Sequence, residues 1–307
     1  MKSFARNINS ILKRLKINKN SFLGEGVESF VYSYNKNRVA RVLKNGNLEY
    51  LRSLKKLQEL ITESKLSVKT PLIEDICEVE GTVYTIEKRF EGENLSKIFD
   101  RFDDRQKETA ILNYFDQLNE LTKVDVGKFS FGQIAETTDK ISEVSWQRFL
   151  NKKVKQKTDL VKTQIEKDVF EFEKKFNLFT KYVDERLGIV KKNLVHGDYF
   201  YDNVMANSKQ EIAGILDFSG WTTVVGDLRL DVCGSIIFLE HSEKFINFQK
   251  LLLEVAKKRF GKEIEWYIDL YRIYYSFFLS DSYLYLRPLY DWCVKNLNDE
   301  QLWKRLE

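Results

Sequence analysis

Proline is nearly absent, with two residues in 307. Helices and strands can therefore run long, because proline is the residue that most readily breaks them. The three cysteines, Cys77, Cys233 and Cys293, are odd in number and far apart. They allow neither a disulfide framework nor a C-x-x-C metal pair, so a reducing cytoplasm is the expected location. No apolar run is long enough to cross a membrane. The longest, 232–239, falls far short of the roughly 20 residues needed. Residues 1–18 lack the continuous apolar core of a secretion signal. Charge of one sign is also scarce in the balance: 50 basic and 46 acidic residues leave +4, which implies no nucleic-acid partner. What remains is a chain that is 43% apolar, enough for a sizeable core. Its length suits one large domain or two unequal lobes.

Chemistry is concentrated in His196-Gly197-Asp198-Tyr199-Phe200-Tyr201-Asp202-Asn203, which reads H-G-D-x-x-x-x-N. An apolar stretch, 212–216, leads from there into Asp217-Phe218-Ser219. Two carboxylates and a carboxamide at these spacings can move a phosphoryl group. Asp198 would accept the proton of an attacking hydroxyl, and Asn203 and Asp217 would hold Mg²⁺ against nucleotide phosphates. Mg²⁺ takes few oxygen ligands from protein and the rest from water and phosphate. A chance polar turn would not be followed by a second carboxylate at the end of an apolar strand.

The set resembles the protein-kinase signature H-R-D-x-x-x-x-N followed by D-F-G. Gly197 stands where protein kinases carry Arg. This H-G-D form resembles the aminoglycoside phosphotransferase family and its small-molecule kinase relatives, such as choline kinase-like enzymes. The resemblance implies an α+β, bilobal protein kinase-like fold, with a small N-terminal sheet lobe and a larger, mainly helical C-terminal lobe. It also implies ATP or GTP as co-substrate, Mg²⁺, and a small-molecule hydroxyl acceptor. Only eight residues separate Ser219 from Leu228, and no A-P-E follows, so there is no room for a long regulatory loop.

Gly24-Glu25-Gly26-Val27-Glu28-Ser29-Phe30-Val31 matches G-x-G-x-x-S-x-V, one residue off the kinase glycine loop. Gly24 and Gly26 would let the backbone approach phosphate oxygens, and Ser29 would add a hydroxyl. The segment runs into a strand, not a helix, which counts against a dinucleotide fingerprint. Aligning Val39-Ala40-Arg41-Val42 with V-A-I-K puts Arg41 at the phosphate-binding lysine, on one strand face with Val39 and Leu43. Lys44 is the alternative cation. Glu49 is the expected helix partner of that cation, with Glu59 as the alternative. The segment 83–95 resembles the family's hinge, E-x-x-x-G-x-x-L. There the backbone groups of Glu87 and Arg89 would meet the purine, with Ile86 behind it.

Residues 1–18 read as a basic amphipathic helix, with Ile8, Ile11, Leu12 and Leu15 on one face and Lys2, Arg6, Lys13, Arg14 and Lys16 elsewhere. Strands are expected within 22–44, at 72–77 and at 82–87, around a helix at 47–64 whose leucines recur every third residue. Helical patterns then dominate at 103–122, 145–186, 242–258 and 264–297, with 158–186 as one long helix. Short strands are expected at 193–196, 203–206 and 212–217. The lobe boundary is placed near residue 90, giving a nucleotide-binding lobe at 1–90 and a catalytic and acceptor-binding lobe at 91–307. In Gly226-Asp227-Leu228-Arg229-Leu230-Asp231, Asp227 reads as a buried helix cap or loop brace, and Asp231 as similar.

The C-terminal helices are rich in aromatics, including Trp266, Tyr271, Tyr275, Tyr285 and Trp292, and also carry Asp281, Asp291, Asp299 and Glu300. A cationic aminoglycoside would want carboxylates, and choline would want an aromatic cage. The first expectation is an aminoglycoside or related antibiotic. The alternatives are a choline, homoserine or sugar kinase of the same fold, or a nucleotide-binding protein without turnover.

Overall fold

The computed structural model describes residues 2–26 and 29–307. Val27 and Glu28 of the glycine-rich segment, and the side chains of Lys2 and Arg6, lie outside the described residues.

The chain opens with helix α1 (Lys2–Arg14), then strands β1 (Phe22–Glu25), β2 (Ser29–Asn35) and β3 (Arg38–Leu43), helix α2 (Leu48–Glu63), and strands β4 (Ile73–Val79) and β5 (Thr82–Lys88). The five strands form one antiparallel sheet in the order β1-β2-β3-β5-β4. The β2–β3 hairpin turns at Lys36-Asn37, where the Asn35 side chain accepts the Asn37 N–H. Strand alternation gives the sheet two apolar faces. On one, Ile11 and Leu12 of α1 pack against Tyr32, Ala40, Val42, Tyr84 and Ile86. On the other, Leu51 of α2 packs with Leu43, Ile73 and Val83. Asn47 starts α2 by accepting the N–H groups of Glu49 and Tyr50, which satisfies two otherwise orphan donors.

Beyond the sheet the chain is mainly helical. A short strand β6 (Glu93–Asn94) and turn of helix α3 (Leu95–Ile98) precede α4 (Asp104–Asp116) and α5 (Leu118–Leu121). Strands β7 (Phe131–Gln133) and β8 (Ser142–Glu143) lead to α6 (Trp146–Asp159), α7 (Lys162–Asp168) and α8 (Phe172–Arg186). Next come β9 (Asn193–Val195), β10 (Val204–Ala206), β11 (Ile212–Ile215) and β12 (Val224–Gly226). The chain ends with α9 (Arg229–Ile237), α10 (Gln249–Phe260), α11 (Ile264–Phe278), α12 (Arg287–Leu297) and α13 (Glu300–Leu306). One large apolar cluster joins these helices, with Trp146, Phe179, Tyr271 and Phe277 fully buried in it. The molecule is thus bilobal, with a small sheet lobe and a larger helical lobe.

Two expected long helices are broken. The span 158–186 divides into α7 and α8, with Glu171 in the left-handed region at φ +52. A distant side chain holds the break: Asn298 accepts the Phe170 N–H and donates to the Asp168 carbonyl, both at 2.9 Å. The span 264–297 breaks between α11 and α12. Pro288 sits in the first turn of α12, where its missing N–H costs nothing. The strands β6, β7, β8 and β12 are too short to leave a periodic signal, and the sequence reading lacks them.

Candidate active site

Strand β9 delivers His196 to the start of the H-G-D loop, and the loop is pinned from below. Asp231, in the first turn of α9, accepts the main-chain N–H of His196 at 2.6 Å and of Gly197 at 2.8 Å. Gly197 has φ +76, and a Cβ there would lie 2.0 Å from the Thr222 carbonyl oxygen. Only glycine fits this close approach. His196 is fully buried, and burial lowers its pKa to about 4, so the ring is neutral near pH 7. Its Nε2 lies 2.7 Å from the Leu216 carbonyl, which can only accept, so Nε2 carries the proton. Its Nδ1 then accepts the Asp198 N–H at 3.3 Å. His196 therefore ties the H-G-D loop to the strand leading to Asp217, a bracing role. Asp227, just ahead of α9, accepts the Arg229 N–H and is also held by the Tyr271 hydroxyl.

Asn203 donates its Nδ2 to both the main-chain oxygen and the Oδ2 of Asp198, at 2.9 and 3.0 Å. Burial pushes the Asp198 carboxyl up to about 7; the Asn203 hydrogen bond opposes this, and the negative charge of Asp217 adds to it. A bound cation would reverse that last effect. Strands β10 and β11 pair antiparallel, with Val204 opposite Ile215, and Leu216 donates its N–H to the Asn203 carbonyl at 2.8 Å. Asn203 and Asp217 therefore sit at the same end of one hairpin. The Asn203 amide nitrogen is committed to Asp198, so its Oδ1 is the atom left for a cation. Asp217 has φ +55, a costly backbone for a non-glycine residue, and its side chain is 55% exposed. Two oxygen donors from protein, with room for water and phosphate, fit Mg²⁺.

From the sheet lobe, Arg41 enters the same corner. Its Nη1 is 3.9 Å from Asp217 Oδ1, across the lobes, and its Nε is 3.3 Å from Glu87 Oε1. Lys44, the alternative cation, reaches the glycine-rich segment instead, at 2.6 Å from Glu25 Oε1 and 2.9 Å from the Gly26 carbonyl. A Cβ at Gly24 or Gly26 would meet open space, so packing among the described residues does not require glycine at either position. Ser29 is buried at the start of β2.

Glu49 is not brought to Arg41. It is exposed in the first turn of α2 and forms no ion pair among the described residues; Glu59 also lies on α2, away from Arg41. The neighbouring Tyr50 of α2 reaches the loop that follows Asp217-Phe218-Ser219. Its hydroxyl accepts the Gly220 N–H at 3.2 Å, and its ring lies 4.4 Å from that of Trp221.

The hinge also differs in detail from expectation. The Arg89 N–H is already donated to the Asn37 carbonyl at 2.9 Å, and its guanidinium reaches Ser33. It is therefore not open to a purine. Ile86 packs on the α1 side of the sheet, and Thr85 and Glu87 lie on the face that carries Arg41. The sequence reading assigns no contact to Thr85 or to the Glu87 carboxylate. Strict alternation along β5 is the signal that would have found them.

A model of a phosphotransferase enzyme family matches residues 21–243, a span that takes in every element of this site. The chain belongs to that family. Solved structures agree on the fold. The gentamicin complex of the aminoglycoside phosphotransferase APH(2″)-IIa is 18% identical, covers 97% of each chain and has a TM-score of 0.65. The GDP complex of aminoglycoside 2′-phosphotransferase-IIIa is 18% identical, covers 98% of this chain and 99% of its own, with a TM-score of 0.64. APH(3″)-Id of Streptomyces rimosus, with ADP and streptomycin, is 13% identical, covers 95% of this chain and 97% of its own, with a TM-score of 0.51. No curated protein matches the chain by sequence.

The carboxylates proposed for an acceptor all have partners within this phosphotransferase. Asp281 lies 2.6 Å from Lys157 Nζ, Asp291 2.7 Å from Arg287, and Glu300 2.9 Å from Lys175. Asp299 caps α13. Most C-terminal aromatics, Tyr271 and Tyr275 among them, are core. Tyr283, Leu284, Tyr285 and Leu286 are exposed together.

Proposed function

We propose that this family member transfers the γ-phosphoryl group of ATP or GTP to a hydroxyl of a small molecule, with Mg²⁺. The observation that carries this is the Asp198–Asn203–Asp217 arrangement. One carboxylate is held by the carboxamide that leaves its oxygen free, and a second, exposed carboxylate stands at the same hairpin end. Asp198 positions the acceptor hydroxyl and takes its proton. Mg²⁺, held by Asn203 and Asp217, would neutralise charge on the phosphates. Arg41 binds those phosphates as they lie under the Gly24–Gly26 segment, and Ser29 belongs to that segment. The main chain near Glu87 forms the purine end of the cleft. Such catalysis is mainly positioning and charge neutralisation.

An aminoglycoside is the acceptor we put first, because relatives of this fold are seen with gentamicin and with streptomycin. A metabolite kinase of the same fold is the second reading. It draws on one observation, the internal pairing of Asp281, Asp291 and Glu300, which leaves fewer free carboxylates for a polycation. We assign residues 1–90 to the nucleotide-binding lobe and 91–307 to the catalytic lobe. The confinement of the five-stranded sheet to 22–88 supports that division. A cytoplasmic location is proposed with it; no helix among the described residues is long and apolar enough to cross a membrane.

The test is Mg²⁺-dependent nucleotide consumption, with ATP and with GTP, across aminoglycosides and small hydroxylated metabolites. Turnover with one aminoglycoside subgroup supports the first reading. Turnover with metabolites alone moves the assignment to the second.

A further inference from the structure

Arg41 departs from the lysine of the V-A-I-K pattern, and Glu87 offers a reason. The guanidinium lies between two carboxylates. Its inner edge, Nε, is 3.3 Å from Glu87 Oε1; its outer end, Nη1, points across the cleft and is 3.9 Å from Asp217 Oδ1. Glu87 is 7% exposed and is itself held in place, because Thr85 Oγ1 donates to the same Oε1 at 2.6 Å. Thr85 and Glu87 are two residues apart on β5, and β5 is hydrogen-bonded to β3 with Arg41 opposite Thr85 and Val39 opposite Glu87. The anchor is therefore built into the sheet and does not depend on how α2 is placed.

We propose that the Glu87 carboxylate is the positioning residue for Arg41, in the place expected for a helix glutamate. The proposal rests on the reading of Arg41 as the cation that holds the nucleotide phosphates. A lysine ends in a single nitrogen, so a carboxylate and a phosphate must share its three donors at one point. A guanidinium has five donors in a rigid fork, so its Nε edge can lie against a carboxylate as an ion pair while the fork still presents both Nη groups. Arg41 and Glu87 thus form one device. Glu87 draws the inner edge into the sheet, and the fork projects toward the corner where Asp217 and the phosphates meet. Glu87 acts through Arg41 and does not touch the reacting atoms.

The experiment measures nucleotide KM and kcat for Glu87→Gln, Thr85→Val, Arg41→Ala and the Arg41→Ala/Glu87→Gln pair. Glu87→Gln keeps the shape and a hydrogen-bonding oxygen but loses the charge. It should raise nucleotide KM about tenfold and change kcat by less than about threefold, since a charge-assisted contact is lost away from the reacting atoms. In the Arg41→Ala background the same change should add less than about twofold, because coupled residues are not additive. Thr85→Val removes only the hydroxyl that fixes Glu87 and should raise KM about threefold. An unchanged KM in Glu87→Gln, or full additivity with Arg41→Ala, overturns the proposal. If Glu87→Gln fails to fold, Thr85→Val decides: an unchanged KM there overturns it equally. Arg41→Ala separates the two levels. Weakened nucleotide binding in that variant with no effect of Glu87→Gln removes only the role of Glu87; unchanged binding in Arg41→Ala removes the phosphate role of Arg41 as well.

Discussion

The Asn203 side chain grips Asp198 twice, through the main-chain oxygen at 2.9 Å and through Oδ2 at 3.0 Å. One amide group thereby fixes the orientation of the Asp198 carboxylate. The five-residue offset in H-G-D-x-x-x-x-N is the length of chain needed to curl back for this contact.

Asp198→Ala should abolish phosphoryl transfer, with kcat down by about 10³ or more, while nucleotide binding stays within a few-fold of the parent. Steady-state turnover paired with equilibrium nucleotide binding checks this. Substantial residual turnover would remove the base assignment.

Asn203→Ala should lower kcat about 10- to 100-fold and raise the Mg²⁺ concentration needed for half-maximal rate. On the proposed reading it removes a metal ligand together with the restraint on Asp198. A Mg²⁺ titration of both proteins reads the effect, and an unchanged Mg²⁺ requirement would count against the ligand role.

Asp217→Ala should weaken Mg·nucleotide binding by about tenfold or more while leaving metal-free nucleotide binding little changed. Chelation of Mg²⁺ should have the same effect on the parent protein. Calorimetric titration with and without chelator distinguishes the cases, and equal Mg·nucleotide affinity in parent and variant would contradict the assignment.

Gly197→Ala should destabilise the protein by about 2 kcal/mol or more, from a strained positive φ together with a Cβ forced against the Thr222 carbonyl. The readout is the thermal midpoint, expected to fall by several degrees. A midpoint equal to the parent's would show that the loop can relax.

Asp231→Asn should destabilise by about 1–3 kcal/mol, because one amide oxygen cannot replace two carboxylate oxygens that accept the His196 and Gly197 N–H groups. Activity at low temperature should persist in the folded fraction. A loss of activity with an unchanged thermal midpoint would instead place Asp231 in the chemistry.

Local signals were the legible ones. The amphipathic stripe of Ile8, Ile11, Leu12 and Leu15 fits the packing of α1 against the sheet, and the leucine repeat of α2 marks it within a residue. The helical period through 158–186 misleads, because the break at Val169–Glu171 is held by Asn298 from the far end of the chain. Glu49 was the natural partner for Arg41 on a helix read by itself. Glu87 was hidden because its contact depends on which strand lies beside β3.

The sequence by itself determined the fold class and which residues of the H-G-D loop and the following hairpin come together. Asp198, Asn203 and Asp217 lie on one loop and one hairpin, where spacing along the chain nearly equals position in space. Tertiary structure alone decided that Glu87 stands beside the Arg41 guanidinium and that the partners of Asp231 are the His196 and Gly197 N–H groups. It also decided that the acidic residues of the C-terminal helices are paired internally. Each of these is a meeting of distant segments, brought about by burial of apolar faces that many sequences could satisfy, so no local pattern records it.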